Sequence, residues 1–172
     1  MKSIDIKFIA DVEKMTESEI KEALTTQTEA HKVSCVNWND YPYAPEVQIN
    51  MAYSDKALAI LFRVKEEHVL GNTLENNGPV WEDSCVETFI KDPVGEGYYN
   101  IEVNCIATKL AAHRLSRTDF ELFNESRLSE MNVKAKLAAA LEPGEYMLKV
   151  YTRSGMGEEF GVKCATRKVT IA

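Results

Sequence analysis

Residues 98–106, YYNIEVNCI, alternate with a period of two: Tyr99, Ile101, Val103 and Cys105 fall on one face, Asn100, Glu102 and Asn104 on the other. Successive side chains of an extended chain point to opposite sides. The pattern therefore specifies an antiparallel strand with one face against a core and one polar face. The preceding residues are of the same kind. Asn77-Gly78-Pro79 stops any regular element, Cys85 to Ile90 is rich in strand-forming residues, and Lys91-Asp92-Pro93 through Gly95-Glu96-Gly97 is a turn-forming link. A strand pair of this sort cannot bury its apolar face alone and needs further strands.

The rest of the chain supplies them. Ile4 to Val12 is expected to be a short edge strand. Thr16-Glu17-Ser18-Glu19 has the form of a capping box and predicts a helix from Glu17 to Thr26, with Ile20, Ala23 and Leu24 as its apolar stripe. Val33 to Trp38 predicts a strand, and Asn39 to Pro45 a loop, because its two prolines remove ladder donors. Val47 to Ser54 and Ala57 to Val64 form the clearest hairpin, turning at Ser54-Asp55-Lys56. Lys65 to Asn77 is a polar connection, and Lys109 to Asn124 reads as loop or helix. Asn132 to Leu141 and Glu145 to Arg153 predict a second hairpin at Glu142-Pro143-Gly144, although Lys136 to Leu141 would also suit a helix. Val162 to Ile171 is expected to be the last strand. Eight to ten short strands and one short helix make the expected fold all-β. It is an antiparallel β-sandwich, jelly-roll-like, with residues 1–172 as a single domain.

Composition narrows the function. Hydrophobic content of 45% and charged content of 27% are those of a globular chain. A formal charge of −7 with no basic cluster argues against nucleic acid and anionic membranes as partners. The opening residues, MKSIDIKFIADVEKMT, show no apolar stretch of signal-peptide type, and no run is long enough to span a bilayer, so a soluble protein is expected. Cys35, Cys85, Cys105 and Cys164 lie far apart without C-x-x-C spacing, which argues against zinc. Free thiols are expected, with a disulfide left open for an exported protein.

Trp81 stands between Pro79 and an acidic pair, at a sheet corner or loop mouth. There it either covers the core or offers its indole to a sugar ring. In the second case Glu87, Asn100 and Asn104 are the candidates to bond the sugar hydroxyls. Stacking adds roughly 0.5–1.5 kcal/mol and neutral hydrogen bonds about 1 kcal/mol each, giving affinities on the order of micromolar to millimolar. Glycoside hydrolysis would need two carboxyls facing each other across roughly 5–9.5 Å. Glu82 and Asp83 are adjacent, Glu87 has no identifiable partner, and Asp83 is better read as capping the turn, so no enzymatic activity is expected. No cofactor is expected either: His31, His68 and His113 stand alone. A structural calcium through Asp40, Asp92 and Glu96 is weighed against plain solvated loop acids.

Three ordered segments, VNWNDYPYAPEV (36–47), NGPVWEDSCVETFI (77–90) and GYYNIEVNCIAT (97–108), resemble signatures of family 9-like carbohydrate-binding proteins, common in polysaccharide-degrading bacteria. The resemblance runs from about Val33 to Arg117. It implies a non-catalytic β-sandwich that holds an oligo- or polysaccharide between aromatic side chains. It also implies an extracellular or periplasmic location and a glycoside hydrolase as companion. By the same resemblance Trp81 is one wall of the slot, Glu87 bonds sugar hydroxyls, and Asn100 and Asn104 occupy the ligand face of the next strand. The family's second sandwiching Trp has no counterpart, since no Trp follows Trp81. Either Tyr146, Tyr151 or Phe160 replaces it, or the slot has one wall, or the site is degenerate and its strands serve only the core. A distantly related cytochrome-type sandwich supplies a rival reading, with Met51 and His113 as haem ligands. A purely structural accessory domain of a glycoside hydrolase is another.

Overall fold

The structure is a computed structural model that describes residues 2–36, 40, 42–91, 95–136, 144–151 and 168–171. The strands, in chain order, are β1 (Lys2–Asp5), β2 (Lys7–Phe8), β3 (His31–Val33), β4 (Glu46–Tyr53), β5 (Ala57–Lys65), β6 (Cys85–Lys91), β7 (Tyr98–Asn104), β8 (Lys109–Arg114), β9 (Phe120–Leu122), β10 (Met131–Lys136), β11 (Gly144–Tyr151) and β12 (Lys168–Ile171). The helices are α1 (Glu17–Gln27) and α2 (Glu125–Glu130). One sheet runs β10-β11-β5-β4-β2, with β3 also on β4; the other runs β6-β7-β8-β9; β1 pairs with β12. Every pairing is antiparallel except the short parallel one between β2 and β4.

The sheets face each other across a core that follows from the alternation. Ile49, Met51 and Tyr53 of β4 and Ile60, Phe62 and Val64 of β5 meet Val86, Tyr99, Ile101, Val103 and Ala111 from the smaller sheet. The larger sheet is apolar on its outer side too. There Ala52, Ala59 and Leu61 pack against Val12 and against Ile20, Ala23 and Leu24 of α1. The capping box that starts α1 is formed, the Glu19 carboxylate accepting from the Thr16 backbone N–H at 2.7 Å. At the other end Asn50, buried in β4, donates to the Leu24 carbonyl at 3.2 Å and accepts from Arg63 at 2.8 Å. The helix is thus tied to the sheet that it covers. These residues form a β-sandwich, as the alternation predicts.

Several boundaries differ from expectation. Ile4 to Val12 is not one strand: β1 and β2 are followed by a 3₁₀ turn at Val12–Lys14, entered through Asp11 at φ 57°. The strand expected at Val33 to Trp38 is β3, ending at Val33, and Trp38 lies outside the described residues. Lys109 to Asn124 is neither loop nor helix but the hairpin β8–β9, and the six-residue α2 follows it. Pairing with β7 decides this, because Ala111 and Ala112 carry no strand preference of their own. The second hairpin forms as β10 and β11, while 137–143 and 162–167 lie outside the described residues.

Candidate functional site

A sandwich of two sheets has four faces. Two make the core, and α1 covers the outer face of the larger sheet. The fourth is the outer face of β6-β7-β8-β9, and its side chains follow from the register. Cys85 lies opposite Asn104; Glu87, Glu102 and Leu110 form the next row; Phe89, Asn100, Ala112 and Leu122 the third; Lys91, Tyr98, Arg114 and Phe120 the last. This face carries the polar half of the alternation that opened the sequence.

Trp81 stands at the end of this sheet where β6 begins, on a 3₁₀ turn spanning Val80–Glu82 that packs on β6 and β7. Val80 is fully buried and pins the turn, whereas Trp81 is 54% exposed. Asn77, at φ 59°, fastens the approach to this shelf. Its backbone N–H donates to Lys109 O at 2.9 Å, its Nδ2 donates to Phe123 O at 2.9 Å, and its Oδ1 accepts from Ala111 N at 3.3 Å.

Asn104 and Asp83 have internal duties. Asn104 is 0% exposed. Its Nδ2 donates to Thr73 O (2.9 Å) and Asp83 Oδ2 (2.8 Å), and its Oδ1 accepts from Ile106 N (3.2 Å) and Thr108 N (2.8 Å). Asp83 also accepts from Asn72 N and Thr73 N, each at 2.9 Å. The Asn72 amide leads the donors that hold the Asp83 carboxyl below the usual range. Asp83 thus does more than cap a turn: it binds residues 72–73 to the strand pair. The expectation that Asn104 presents its amide to a ligand is therefore not met, because loop residues far away in sequence close over it.

The remaining polar residues behave differently. Glu87 is on the surface and Glu102, directly opposite, is 4% exposed with its Oε2 lacking any partner. Asn100 is 2% exposed and accepts from Arg114 Nε at 2.9 Å through Oδ1, while its buried Nδ2 makes no full hydrogen bond and favours the charged Glu102 carboxyl beside it. Buried polar atoms without partners are uncommon, since each costs about 1–3 kcal/mol. Burial and then the Glu87 charge push the Glu102 carboxyl up to about 7, with Arg114 and then the Asn100 side chain moderating the rise. Partial shielding from water also raises Glu87, again against Arg114. Arg114 lies 4.4 Å above the Phe120 ring and donates through Nη1 to Arg117 O at 3.3 Å. Phe89, exposed, meets the Tyr98 ring at 5.9 Å between centroids.

The structure thus brings Glu87 and Asn100 to one face, with Trp81 at its end, and adds Glu102, Arg114, Phe89 and Phe120. Sequence reasoning put Glu102 on this polar face without assigning it a role, and missed the other three. The only signal for Arg114 and Phe120 was the two-residue period within β8 and β9, which two alanines blur. Met51 packs in the core and His113 sits 4.9 Å from the Tyr99 ring, so both proposed haem ligands have packing roles. Asp40 and Glu96 are exposed, Asp92 lies outside the described residues, and among the described residues no three His, Cys, Asp or Glu side chains group to hold a metal. Cys85 and Cys105 are free thiols, Cys164 lies outside the described residues, and burial first, then nearby carboxylates, pushes Cys85 up to about 12.

The sequence profile of carbohydrate-binding family 9 matches residues 18–142, well over half of the chain. The chain belongs to carbohydrate-binding family 9. Among solved structures, a candidate carbohydrate-binding protein from Bacteroides uniformis ATCC 8492 is similar at 25% identity and a TM-score of 0.76, over 89% of this chain and 73% of that one. A family 9 carbohydrate-binding module from Caldicellulosiruptor kristjanssonii in complex with glucose shares the fold at 13% identity and a TM-score of 0.58, over 88% and 69%. The same organism's family 9 module in complex with cellotriose gives 12% and 0.54, over 86% and 68%. None of the curated proteins matches. For a family 9 chain the question left by the sequence is the second aromatic wall. Phe160 lies outside the described residues, and Tyr146 and Tyr151 belong to β11, in the sheet that does not carry β6 and β7.

Proposed function

We propose that the outer face of β6-β7-β8-β9 binds a saccharide without transforming it. One observation carries the reading: an exposed indole stands on a pinned shelf at the end of the sheet whose outer face holds Glu102 Oε2, buried without a partner. Trp81 stacks on the apolar C–H side of the ring. Glu87 accepts from its hydroxyls, Asn100 donates through Nδ2, and Arg114 holds Asn100 in place through the bond to Oδ1. Asn104 shapes the site from behind. Glu87 and Glu102 stand side by side on one sheet face rather than across a cleft, so they are binding groups and not a hydrolytic pair. The family context supports a role in polysaccharide breakdown, outside the cytoplasm and beside a glycoside hydrolase.

Glucose and cellotriose, the ligands of the two Caldicellulosiruptor modules, are the sugars to try first. Calorimetry should show binding on the order of micromolar to millimolar. Trp81→Ala should weaken it about tenfold or more while moving stability by no more than about 0.5 kcal/mol, since the ring is half in solvent. If neither these nor a wider panel of mono- and oligosaccharides binds at millimolar concentration, the domain is a structural one.

A further inference from the structure

The two carboxyls of this face stand directly opposite each other, whereas its two cations, Lys91 and Arg114, lie in the last row. Taken strand by strand, β6 contributes Glu87 and, at the far row, Lys91; β7 contributes Glu102; β8 contributes Arg114; β9 contributes none. Asp83 is answered by three donors within the protein. Glu66, half-buried, is raised by burial and adds its negative charge near Cys85. Arg114 directs Nε to Asn100 and Nη1 to the Arg117 carbonyl rather than to either glutamate. A neutral sugar leaves the Glu102 carboxyl, shut away from water and raised to about 7 beside Glu87, with no cation to hold it ionised.

We propose that this face selects a sugar bearing a protonated amine, a hexosamine with its nitrogen unacylated, over the neutral sugar of the same shape. The inference rests on the saccharide reading and names its substrate class. An ammonium group offers three donors and no acceptor, which suits Glu87 and the unpartnered Glu102 Oε2. Asn100 Nδ2 is left to donate to a neighbouring hydroxyl oxygen. The exposed rings of Trp81 and Phe89 at the border favour a cation as well. Charge-assisted hydrogen bonds are roughly twice as strong as neutral ones, which corresponds to about a tenfold gain in affinity. N-acetylation removes the charge and two of the donors, and should remove the gain.

The test is calorimetry on the full chain with D-glucosamine, N-acetyl-D-glucosamine and D-glucose near neutral pH, at low and at high salt. Glucosamine should bind about tenfold tighter than the other two, with the advantage shrinking as salt screens it. In Glu102→Gln and in Glu87→Gln the ratio of glucosamine to glucose affinity should fall toward one. Glu87 is on the surface, so its variant keeps the test open should Glu102→Gln not fold. Glucosamine binding no tighter than glucose overturns the proposal while leaving sugar binding intact, as does a preference unchanged in both variants. Binding of none of the three overturns this inference, and if cellotriose and the wider panel also fail to bind, the saccharide reading goes with it.

Discussion

At the scale of single residues, the face is built from side chains with opposite obligations. Asn104 satisfies four backbone and side-chain groups from inside, so Asn104→Ala should strand several of them at once. The expected loss is about 3 kcal/mol, read from urea midpoints, with sugar affinity falling only as a consequence. Glu102 acts through its proton. Its folded pKa of about 7 lies above the 4.5 of the free side chain, so the folded state holds the proton more tightly. Its contribution to stability is full below about 4.5 and is lost as pH rises toward 7. Asp83 has the opposite sign: its depressed pKa supports the fold above the ordinary 3.8 and lets go only in stronger acid. Urea midpoints across this range should therefore fall between mildly acid and neutral pH in the wild type. The Glu102→Gln variant should show a flatter profile. An unchanged slope would mean that Glu102 titrates normally.

At the scale of elements, the loop before β7 is the sensitive one. Gly97 has φ +95°, and a Cβ there would drive into the Arg114 carbonyl oxygen on the paired strand. Gly97→Ala should cost about 1–3 kcal/mol and also weaken sugar binding, because it displaces the strand end that carries Arg114. Calorimetry and thermal melts together check both halves. Elements differ in how openly the sequence declares them. α1 was legible from Thr16, Glu19 and one apolar stripe, all local signals, and β4–β5 from alternation on both sides of a short turn. The hairpin β8–β9 was not, since Leu110-Ala111-Ala112 favours no strand by itself and takes its conformation from β7. At six residues, α2 is too short for periodicity to show.

At the scale of the whole molecule, the two sheets stand or fall on a single interior. Ile101 is fully buried where the smaller sheet meets β4 and β5. Ile101→Ala should cost about 2–5 kcal/mol in denaturant unfolding. The polar face of β7 was legible as a face, but its depth was not. Burial of Asn100, Glu102 and Asn104 depends on Arg114, on residues 72–73 and on the turn at Asp83, and period two carries no trace of those distant partners. One consequence follows from the three bonds of Asn77. They clamp the approach to the Trp81 turn to β8 and to Phe123, so the ring's mount is in position before any sugar comes. Among the described residues the Trp81 turn needs no rearrangement, so on the proposed saccharide reading its contact with a sugar should add no slow conformational phase. At the micromolar to millimolar affinities proposed, release would be equally quick. A domain of this kind would sample a surface in brief, repeated touches rather than grip one spot.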